Sequence, residues 1–408
     1  MDRIFDSIIV GAGASGLMAA IQAARNGVHV LVLEHMDRAG KKILATGNGK
    51  CNFTNEKQGI AYYNGKNPAF VLPALRQFGV KETLQFFEEL GIYPKMKRNG
   101  YYYPASGQAV SVVETLLLEC KRLNVQIKYN VGIREIIREG EGFSFHTKQG
   151  VFRSRYCVIA TGGKAAKKTG SDGSGNLYIE KFGHKLTDIV PALVQLQGKQ
   201  SFLKEIAGIR AEGSVTIYIE KEKIAEDVGE LQLTEFGISG IPVFQVSRHA
   251  SYGLLYGKQV SASLNFLPEL TENETQELMR KRFLHYGRGK NANQALIGLF
   301  PGKLNPVLLT LAQIPLDKPA QECTEKELNQ LVRQSRSMRI DIIGTKGFDH
   351  AQVSAGGVDT SEVNPTTMES RLVPGLYFAG EVLDVDGMCG GYNLQWAWSS
   401  GYVASKLS

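Results

Sequence analysis

The sequence has few cysteines, and no two of them lie close together. Five occur in 408 residues, at Cys51, Cys120, Cys157, Cys323 and Cys389, without a C-x-x-C pair. A disulfide framework, a zinc site or an iron–sulfur cluster draws on a closely spaced or even set. None of the seven histidines stands at metal-ligand spacing from another. We therefore predict no disulfide scaffold and no metal site, and a reducing compartment fits best.

Long apolar runs are also missing. No stretch of about 18 apolar residues occurs, so the sequence predicts no transmembrane helix. The first residues, Met1–Asp6, lack the basic lead and long apolar run of a secretory signal. We expect a cytoplasmic location and no membrane partner.

The charge balance is basic, at +7, but it does not form a nucleic-acid groove. The dense clusters at 41–42, 95–98 and 164–168 contain no interleaved aromatic residues, which a single-strand groove would need. A basic solvated surface is the favoured interpretation, and nucleic acid is the less favoured partner. We expect a small-molecule substrate.

The N-terminus carries a nucleotide fingerprint in its full context. An apolar run typical of a buried parallel strand, Ser7–Val10, leads into G-x-G-x-x-G at 11–16. Helical spacing of apolar residues follows, and then a second strand at Val28–Leu33 that ends at Glu34. This strand, turn, helix, strand and acid order predicts a dinucleotide site.

Each residue of the fingerprint has a physical role. Gly11 permits the tight turn, Gly13 lets a pyrophosphate approach the backbone, and Gly16 lets the helix pack on the sheet. Glu34 lies 23 residues after Gly11 and accepts ribose hydroxyls, while its charge repels a 2′-phosphate. The competing interpretation, an ordinary glycine-rich turn, leaves the acid unexplained. Cofactor candidates here are Gly11, Gly13, Ala14, Ser15, Gly16, Glu34 and His35, with Val131 as a further one.

The following segment, 40–55, favours FAD over NAD. It reads as a loop rich in glycine, lysine and small polar residues, which presents N–H groups and cations to an extended anion. An NAD site would usually continue straight into its next strand and helix. The alternative is a solvated surface loop. The candidates are Gly40, Lys41, Lys42, Thr46, Gly47, Asn48, Gly49, Lys50, Cys51 and Asn52.

Two later strands also end in glycine turns. The run 156–160 precedes Thr161-Gly162-Gly163, and the run 375–379 precedes Gly380-Glu381. Ligands of doubly wound sheets lie at the carboxyl ends of strands, so these turns predict one long crevice to which the chain returns. The candidates are Ala160, Thr161, Gly162, Gly163, Gly380, Glu381 and Asp384, although Asp384 can also belong to a solvated turn.

The last helix is predicted to begin after Gly390-Gly391 and to run to Val403. Its N-terminus would point at the flavin pyrimidine ring and stabilise negative charge there. The candidates are Gly391, Tyr392, Asn393, Leu394 and Gln395. Cys51 and Cys389 are either redox thiols or, more commonly, buried packing residues. The run Tyr101–Pro104 either walls the substrate pocket or packs under a loop, and no catalytic protein residue is identified.

These motifs resemble the flavoproteins with two dinucleotide-binding domains. More narrowly, the chain is similar to the bacterial NAD(P)/FAD-dependent oxidoreductase family of the aminoacetone-oxidase type, which includes bile-acid reductases. The resemblance rests on G-K-K-I-L at 40–44 with T-G-N-G-K-C-N at 46–52, A-T-G-G at 160–163, G-I-S-G at 237–240, S-A-G-G-V at 354–358, F-A-G-E-V-L-D-V-D-G at 378–387 and G-G-Y-N-L-Q at 390–395. It spans almost the whole chain.

The resemblance implies an α/β fold: a Rossmann-like FAD-binding domain, an inserted β-barrel domain and a small helical insertion. The residue pattern agrees, because alternating strands appear from Pro191 and helical stretches at 271–279, 296–311 and 325–333. Pro301 and Pro306 are expected to break the stretch at 296–311. A strand returns at 339–344. Ser239, before an apolar helix, is either an N-cap or part of an anion-binding turn, and the cap is favoured. We predict the FAD domain at 1–190 and 346–408, the barrel at 191–270 with a return strand at 335–345, and the helical insertion at 271–334.

Three functions follow from this pattern. The favoured one is a reductase that passes a hydride from NAD(P)H through FAD to an activated double bond of a small apolar substrate. The alternatives are an FAD-dependent amine oxidase that uses O₂ and an RNA-modifying flavoprotein. Since no second G-x-G-x-x-G unit occurs, either NAD(P)H binds transiently over the flavin or the substrate itself is the reductant.

Overall fold

The computed structural model describes residues 4–407, which divide into two units. The first contains the chain up to Ile189 and from Gln352 onwards, and the second is Val190–Ala351. The strands and helices of the first are β1 Ile4–Val10, α1 Ala14–Arg25, β2 Val30–Leu33, α2 Lys41–Ala45, β3 Thr54–Asn55, β4 Tyr63–Asn64, α3 Leu72–Gln77, α4 Val80–Glu89, β5 Pro94–Met96, β6 Tyr101–Pro104, α5 Ala109–Arg122, β7 Gln126–Lys128, β8 Ile133–Glu139, β9 Gly142–Thr147, β10 Gly150–Ile159 and α6 Gly175–Lys181.

The second unit contains β11 Val190–Ala192, β12 Leu196–Gly198, β13 Arg210–Ile219, β14 Glu222–Thr234, β15 Gly237–Ser239, α7 Ile241–Leu255, β16 Val260–Asn265, α8 Glu272–Arg280, α9 Ala292–Ala295, α10 Leu304–Leu311, α11 Glu325–Arg336 and β17 Met338–Thr345. The chain then completes the first unit with β18 Val353–Ala355, β19 Leu376–Phe378, β20 Asp386–Gly387 and α12 Tyr392–Ala404.

The first unit is built on a seven-stranded mixed sheet. Its parallel part has the order β7-β2-β1-β10, with β19 also paired to β10, and β9 and β8 extend it as antiparallel strands. The apolar runs that predict these strands are buried; all four residues of β2 are buried. The last residues of the strands are in register, because Val10 pairs with both Leu33 and Ile159, and Ile159 pairs with Phe378. Four carboxyl ends therefore meet at one edge, where ligands of such sheets bind.

The second unit contains a closed antiparallel barrel in the order β12-β15-β14-β13-β16-β17. Burial alternates along β16, as expected of a strand with one face toward a core. The helices α7–α11 pack on the core of the same unit. Thr271 and Thr324 begin α8 and α11 with capping boxes, in which a side-chain oxygen accepts a backbone N–H and a glutamate reaches back. The predicted fold class is confirmed.

Three local predictions are wrong. The 40–55 segment is not loop throughout, because α2 and a 3-10 turn at Thr46–Gly49 occupy it. The stretch predicted to be helical at 296–311, with breaks at Pro301 and Pro306, forms a helix only over Leu304–Leu311. Pro306 does not break this helix, because it lies in the first turn, where no N–H is needed. Ser239 does not cap α7: it lies in β15, and Gly240 is the N-cap, with φ 104° and no side-chain hydrogen bond.

Two further properties hold for the described part of the chain. No helix between residues 4 and 407 is long and apolar enough to cross a membrane. Within the same residues, no group of three or more His, Cys, Asp or Glu side chains is placed to hold a metal ion.

A buried histidine makes the stability of the first unit depend on pH. His184 Nδ1 lies 3.1 Å from Glu362 Oε2, and its Nε2 lies 2.7 Å from Ser370 Oγ. The Ser370 hydroxyl already accepts two backbone N–H groups, so it donates to the neutral imidazole. Burial lowers the pKa of His184, and Glu362 only partly opposes this.

We predict that the free energy of unfolding falls as the pH falls below about 6.5, since only the unfolded chain then takes up the proton on this residue. His184→Gln should remove this dependence, a slope difference of up to about 1.4 kcal/mol per pH unit. Denaturant unfolding from pH 7.5 to 5 measures it, with the exposed His285→Gln as control. Parallel pH profiles for wild type and His184→Gln would contradict the assignment.

Candidate cofactor site

The first glycine turn is shaped by close backbone contacts. Gly11 has φ 104°, and a Cβ on it would stand 2.5 Å from the Ala160 carbonyl oxygen. A Cβ on Gly16 would stand 1.9 Å from the Gly11 oxygen. Side chains are therefore excluded at both positions, as the fingerprint predicts. A Cβ on Gly13 would meet nothing within 4 Å, so the missing side chain leaves open space in front of α1.

The N-terminus of α1 faces this space without a side-chain cap. Gly13 is the N-cap in an extended conformation, and the first turn contains no acidic residue. Its leading N–H groups and partial positive charge are thus available to an anion. Ser15 does not cap the helix, because its hydroxyl donates to the Ala379 oxygen at 3.2 Å and ties α1 to the end of β19.

Glu34 stands beside the same turn and is almost fully buried. Its Oε2 accepts the Ala12 N–H at 2.6 Å, and its Oε1 accepts the Met36 N–H at 2.8 Å. These bonds fix the carboxylate, and each oxygen retains capacity for another donor such as a ribose hydroxyl. The ring of His35 lies 4.0 Å from Oε1, and the Val131 N–H donates to the Glu34 carbonyl at 2.8 Å.

An ion pair brings together three segments that are distant in sequence. Lys42 Nζ lies 2.6 Å from Glu381 Oε2, and both side chains are largely buried. Glu381 Oε1 also accepts the Ser354 N–H at 3.0 Å. A Cβ on Gly163 would stand 2.0 Å from Ser354 Oγ, so the A-T-G-G turn lies against the same group. The pair thus links α2, the turn after β10 and the turn after β19.

Ser354 is absent from the predicted set. It lies in the S-A-G-G-V motif of the family, but a single serine within the short strand β18 has no pattern that marks a contact in space. Besides accepting the Lys164 N–H at 2.9 Å, its hydroxyl donates to Glu381. Its role is to hold the Glu381 carboxylate in position.

The turn at 46–52 has unusual backbone geometry. Gly47, Asn48 and Cys51 have φ values of 55°, 54° and 57°, in the left-handed region. A Cβ on Gly391 would stand 3.0 Å from Asn52 Oδ1, which places this turn beside the entrance to α12. Gly49 and Lys50 are exposed, and Lys41 is paired with Asp37 at 2.5 Å.

Two buried polar atoms at the site lack a partner within the described chain. They are Asn52 Oδ1 and Thr161 Oγ1. A buried polar atom without a hydrogen bond is costly unless a ligand or water satisfies it. Together with the open space at Gly13 and the uncapped α1, they show that these residues fit an extended, polar, anionic cofactor such as FAD.

At the start of α12, backbone N–H groups are more available to a ligand than the side chains are. Gly391 is the N-cap with φ 96° and no side-chain cap. The Asn393 amide bonds to the Gly387 backbone at 2.8 and 2.7 Å. Tyr392 is buried and stacks on Tyr62 at 4.7 Å. These contacts fix the helix, and Leu394 is half-buried.

The side chains of Gln395 and Asp384 are also buried and hydrogen-bonded within the protein. The Gln395 amide accepts from Thr54 and Thr83 and donates to Phe78 and Ser399, so its side chain is unavailable to a ligand. The buried Asp384 carboxylate accepts the Lys66 N–H at 3.0 Å, which rules out a solvated turn at this residue.

The buried thiol of Cys51 is not set up for redox chemistry. Burial raises its pKa to about 12, so the thiol stays protonated at neutral pH. Since the thiolate is the reactive form, Cys51 acts as a packing residue. Cys389 is half-buried in the loop before α12.

The comparisons with known proteins agree with this architecture. Residues 5–407 match the model of the HI0933-like protein Rossmann domain. The chain is 45% identical over 405 residues to a 3-dehydro-bile acid delta(4,6)-reductase of Clostridium scindens, covering 98% of each protein. It is 32% identical over 413 residues to a ribosomal RNA dihydrouridine synthase of Escherichia coli, covering 100% of this chain and 98% of the relative.

A second ribosomal RNA dihydrouridine synthase, of Haemophilus influenzae, is 32% identical over 416 residues, covering 99% and 98%. The family match and the relatives both extend over nearly the full chain, so the resemblance in the sequence motifs is confirmed. The chain belongs to the HI0933-like Rossmann FAD-binding family and is a flavin-dependent oxidoreductase.

Proposed function

We propose that this enzyme passes a hydride from NAD(P)H, through FAD, to an activated carbon–carbon double bond of a small apolar substrate. The observation that carries the proposal is the convergence of the uncapped α1, Glu34 and the Lys42–Glu381 pair at one edge of the sheet. When bound, FAD supplies the two-electron chemistry. The chain positions it and tunes its charge.

Different residues would bind different parts of FAD. The first N–H groups of α1 would receive the pyrophosphate, with Gly13 allowing close approach. Glu34 would accept the ribose hydroxyls, and the fixed orientation given by Ala12 and Met36 makes it ready to do so. Asn52 Oδ1 and Thr161 Oγ1 would find their missing partners on the cofactor.

The charge of the site suits a reduced flavin. The N-terminus of α12, capped only by Gly391, would face the pyrimidine edge of the ring and favour negative charge there. Lys42 adds a cation, but Glu381 neutralises it, so the pair serves mainly to hold the segments together. Electrostatic support for the electron-rich ring therefore comes chiefly from the helix.

The hydride donor is proposed from a feature of the sequence. There is one G-x-G-x-x-G unit, whereas a stable nicotinamide site of the Rossmann type needs its own strand, helix and acid. NAD(P)H would therefore visit the crevice next to the flavin and leave before the substrate is reduced. This order needs no second nucleotide domain.

The type of acceptor is proposed from the relatives. A bile acid delta(4,6)-reductase and a dihydrouridine synthase both saturate a carbon–carbon double bond, so this step is shared although the substrates differ. The greater identity, 45% against 32%, favours the small apolar substrate over RNA. The amine-oxidase alternative has no counterpart among these relatives.

Glu34→Ala should weaken FAD binding. The change removes an acceptor of the ribose hydroxyls, and a hydrogen bond to a charged group is worth about 1.5–3 kcal/mol, which is roughly 10- to 100-fold in the dissociation constant. Fluorescence titration of the apoprotein with FAD measures it, with circular dichroism to check the fold. The exposed Glu141→Ala is the control. An unchanged FAD affinity in Glu34→Ala would show that the carboxylate does not contact the ribose.

Anaerobic mixing with NADH or NADPH should bleach the flavin absorbance within seconds. Adding an activated alkene, such as a 3-oxo-4-ene steroid, should then restore the oxidised spectrum and yield the saturated product. Stopped-flow absorbance and mass spectrometry measure the two half-reactions separately. A flavin that is bleached only by primary amines and reoxidised by O₂ would establish the oxidase instead.

A further inference from the structure

The hairpin formed by β5 and β6 presents two tyrosines and two lysines on one face. Lys95 lies opposite Tyr103 in the ladder, and the Lys97 N–H donates to the Tyr101 oxygen at 2.7 Å. Residues opposite each other in an antiparallel pair, and residues two apart on one strand, share a face. We call this set, Lys95, Lys97, Tyr101 and Tyr103, the tyrosine face.

The tyrosine face lies beside the turn at 46–52 and the entrance to α12, two segments that the proposed function places at the cofactor. A Cβ on Gly47 would stand 3.4 Å from Tyr103 Cε1, and a Cβ on Gly390 would stand 2.9 Å from Tyr101 Cε1. Gly47 belongs to the turn at 46–49, and Gly390 immediately precedes α12. Asn55 strengthens this arrangement, because its Nδ2 donates to the Gly390 oxygen at 3.0 Å. A ligand on this face would thus adjoin the redox centre.

The ring of Tyr103 is covered by a cation that can be displaced. Lys97 Nζ stands 4.7 Å from the centre of the ring, and the lysine is exposed. Such a contact is worth only about 0.5–1 kcal/mol at an exposed site. A flat apolar ring offers a larger contact area, and it can replace the ammonium group on the tyrosine. The flexible stem of Lys97 then keeps the ammonium within reach of the edge of the ligand.

The charges around the face favour an anion. Lys95, Lys97 and Arg98 are all exposed on or next to the hairpin. An acidic residue, Glu56, also lies at the hairpin tip, because its Cβ is 3.0 Å from where a Cβ on Gly100 would stand. Three cations and one carboxylate give this region a net positive charge. An anionic group on a bound ligand would therefore be attracted here.

We propose that the tyrosine face determines specificity for a planar apolar enone that carries an anionic group. The rings stack against Tyr101 and Tyr103, and Lys97 pairs with the anion. The inference rests on the reductase function proposed above, and it adds the residues that select the substrate class. Lys97 would pair with the anionic group of the substrate beside Tyr103, and it takes no part in hydride transfer.

The experiment compares a 3-oxo-4-ene steroid carrying a side-chain carboxylate with its methyl ester. Isothermal titration of the oxidised, FAD-loaded enzyme without nicotinamide gives both dissociation constants. The wild type should bind the acid about tenfold more tightly, as expected of one charge-assisted contact. Lys97→Met should abolish this preference while leaving the ester affinity unchanged. The matched Lys148→Met, on the exposed β9–β10 turn, should retain it.

Tyr103→Leu is the second test variant. Because it lacks the stacking ring, its affinities for the acid and the ester should fall by the same factor. Equal affinity of the wild type for acid and ester, an unaltered preference in Lys97→Met, or no binding of either steroid would overturn the inference. Because these are binding measurements, they are independent of turnover. An enzyme that prefers the acid but is not reduced by NAD(P)H would refute the proposed function and leave the specificity assignment standing.

Discussion

The pairing of β10 with both ends of the chain is the constraint on which the site depends. Its residues Cys157–Ile159 lie between β1 and β19, so the first and last thirds of the chain share one sheet. In-register pairing aligns the turns that follow these strands. The fingerprint turn, the A-T-G-G turn and the G-E turn consequently meet without long connecting loops. The insertion of Val190–Ala351 leaves this arrangement intact because both of its ends return to the first unit.

Close backbone approach is the second requirement, and it explains why glycine rather than another small residue occupies these turns. At Gly11 and Gly16 an added Cβ would meet a backbone oxygen at 2.5 Å or less, so even alanine would force the strand and helix apart. At Gly163 an added Cβ would instead meet the Ser354 side chain at 2.0 Å. Gly13 is different, because its Cβ would be unobstructed within the protein. The fingerprint assigns this glycine to the close approach of a pyrophosphate.

The sheet, the fingerprint and the family were predictable because each has a local signature: buried apolar runs, glycine spacing and specific motifs. The barrel and the last helix could be predicted from the alternating strand pattern and from the family resemblance. Contacts between distant residues were not predictable in this way. Nothing near Ser354 indicates that it orients Glu381, and nothing near Gln395 shows that its amide is consumed by Thr54 and Thr83. The residues before Leu304 are not helical although their apolar composition favours a helix, and Pro306 lies inside α10 because proline is tolerated in a first turn.

The visible spectrum of the purified protein, followed by release and chromatographic identification of its cofactor, tests the central claim most directly. We expect the purified protein to show flavin absorbance bands and to release FAD into the supernatant on denaturation, at close to one FAD per chain. A colourless protein that takes up no added FAD would contradict it. The open space at Gly13 and the unpartnered atoms of Asn52 and Thr161 would then need another ligand.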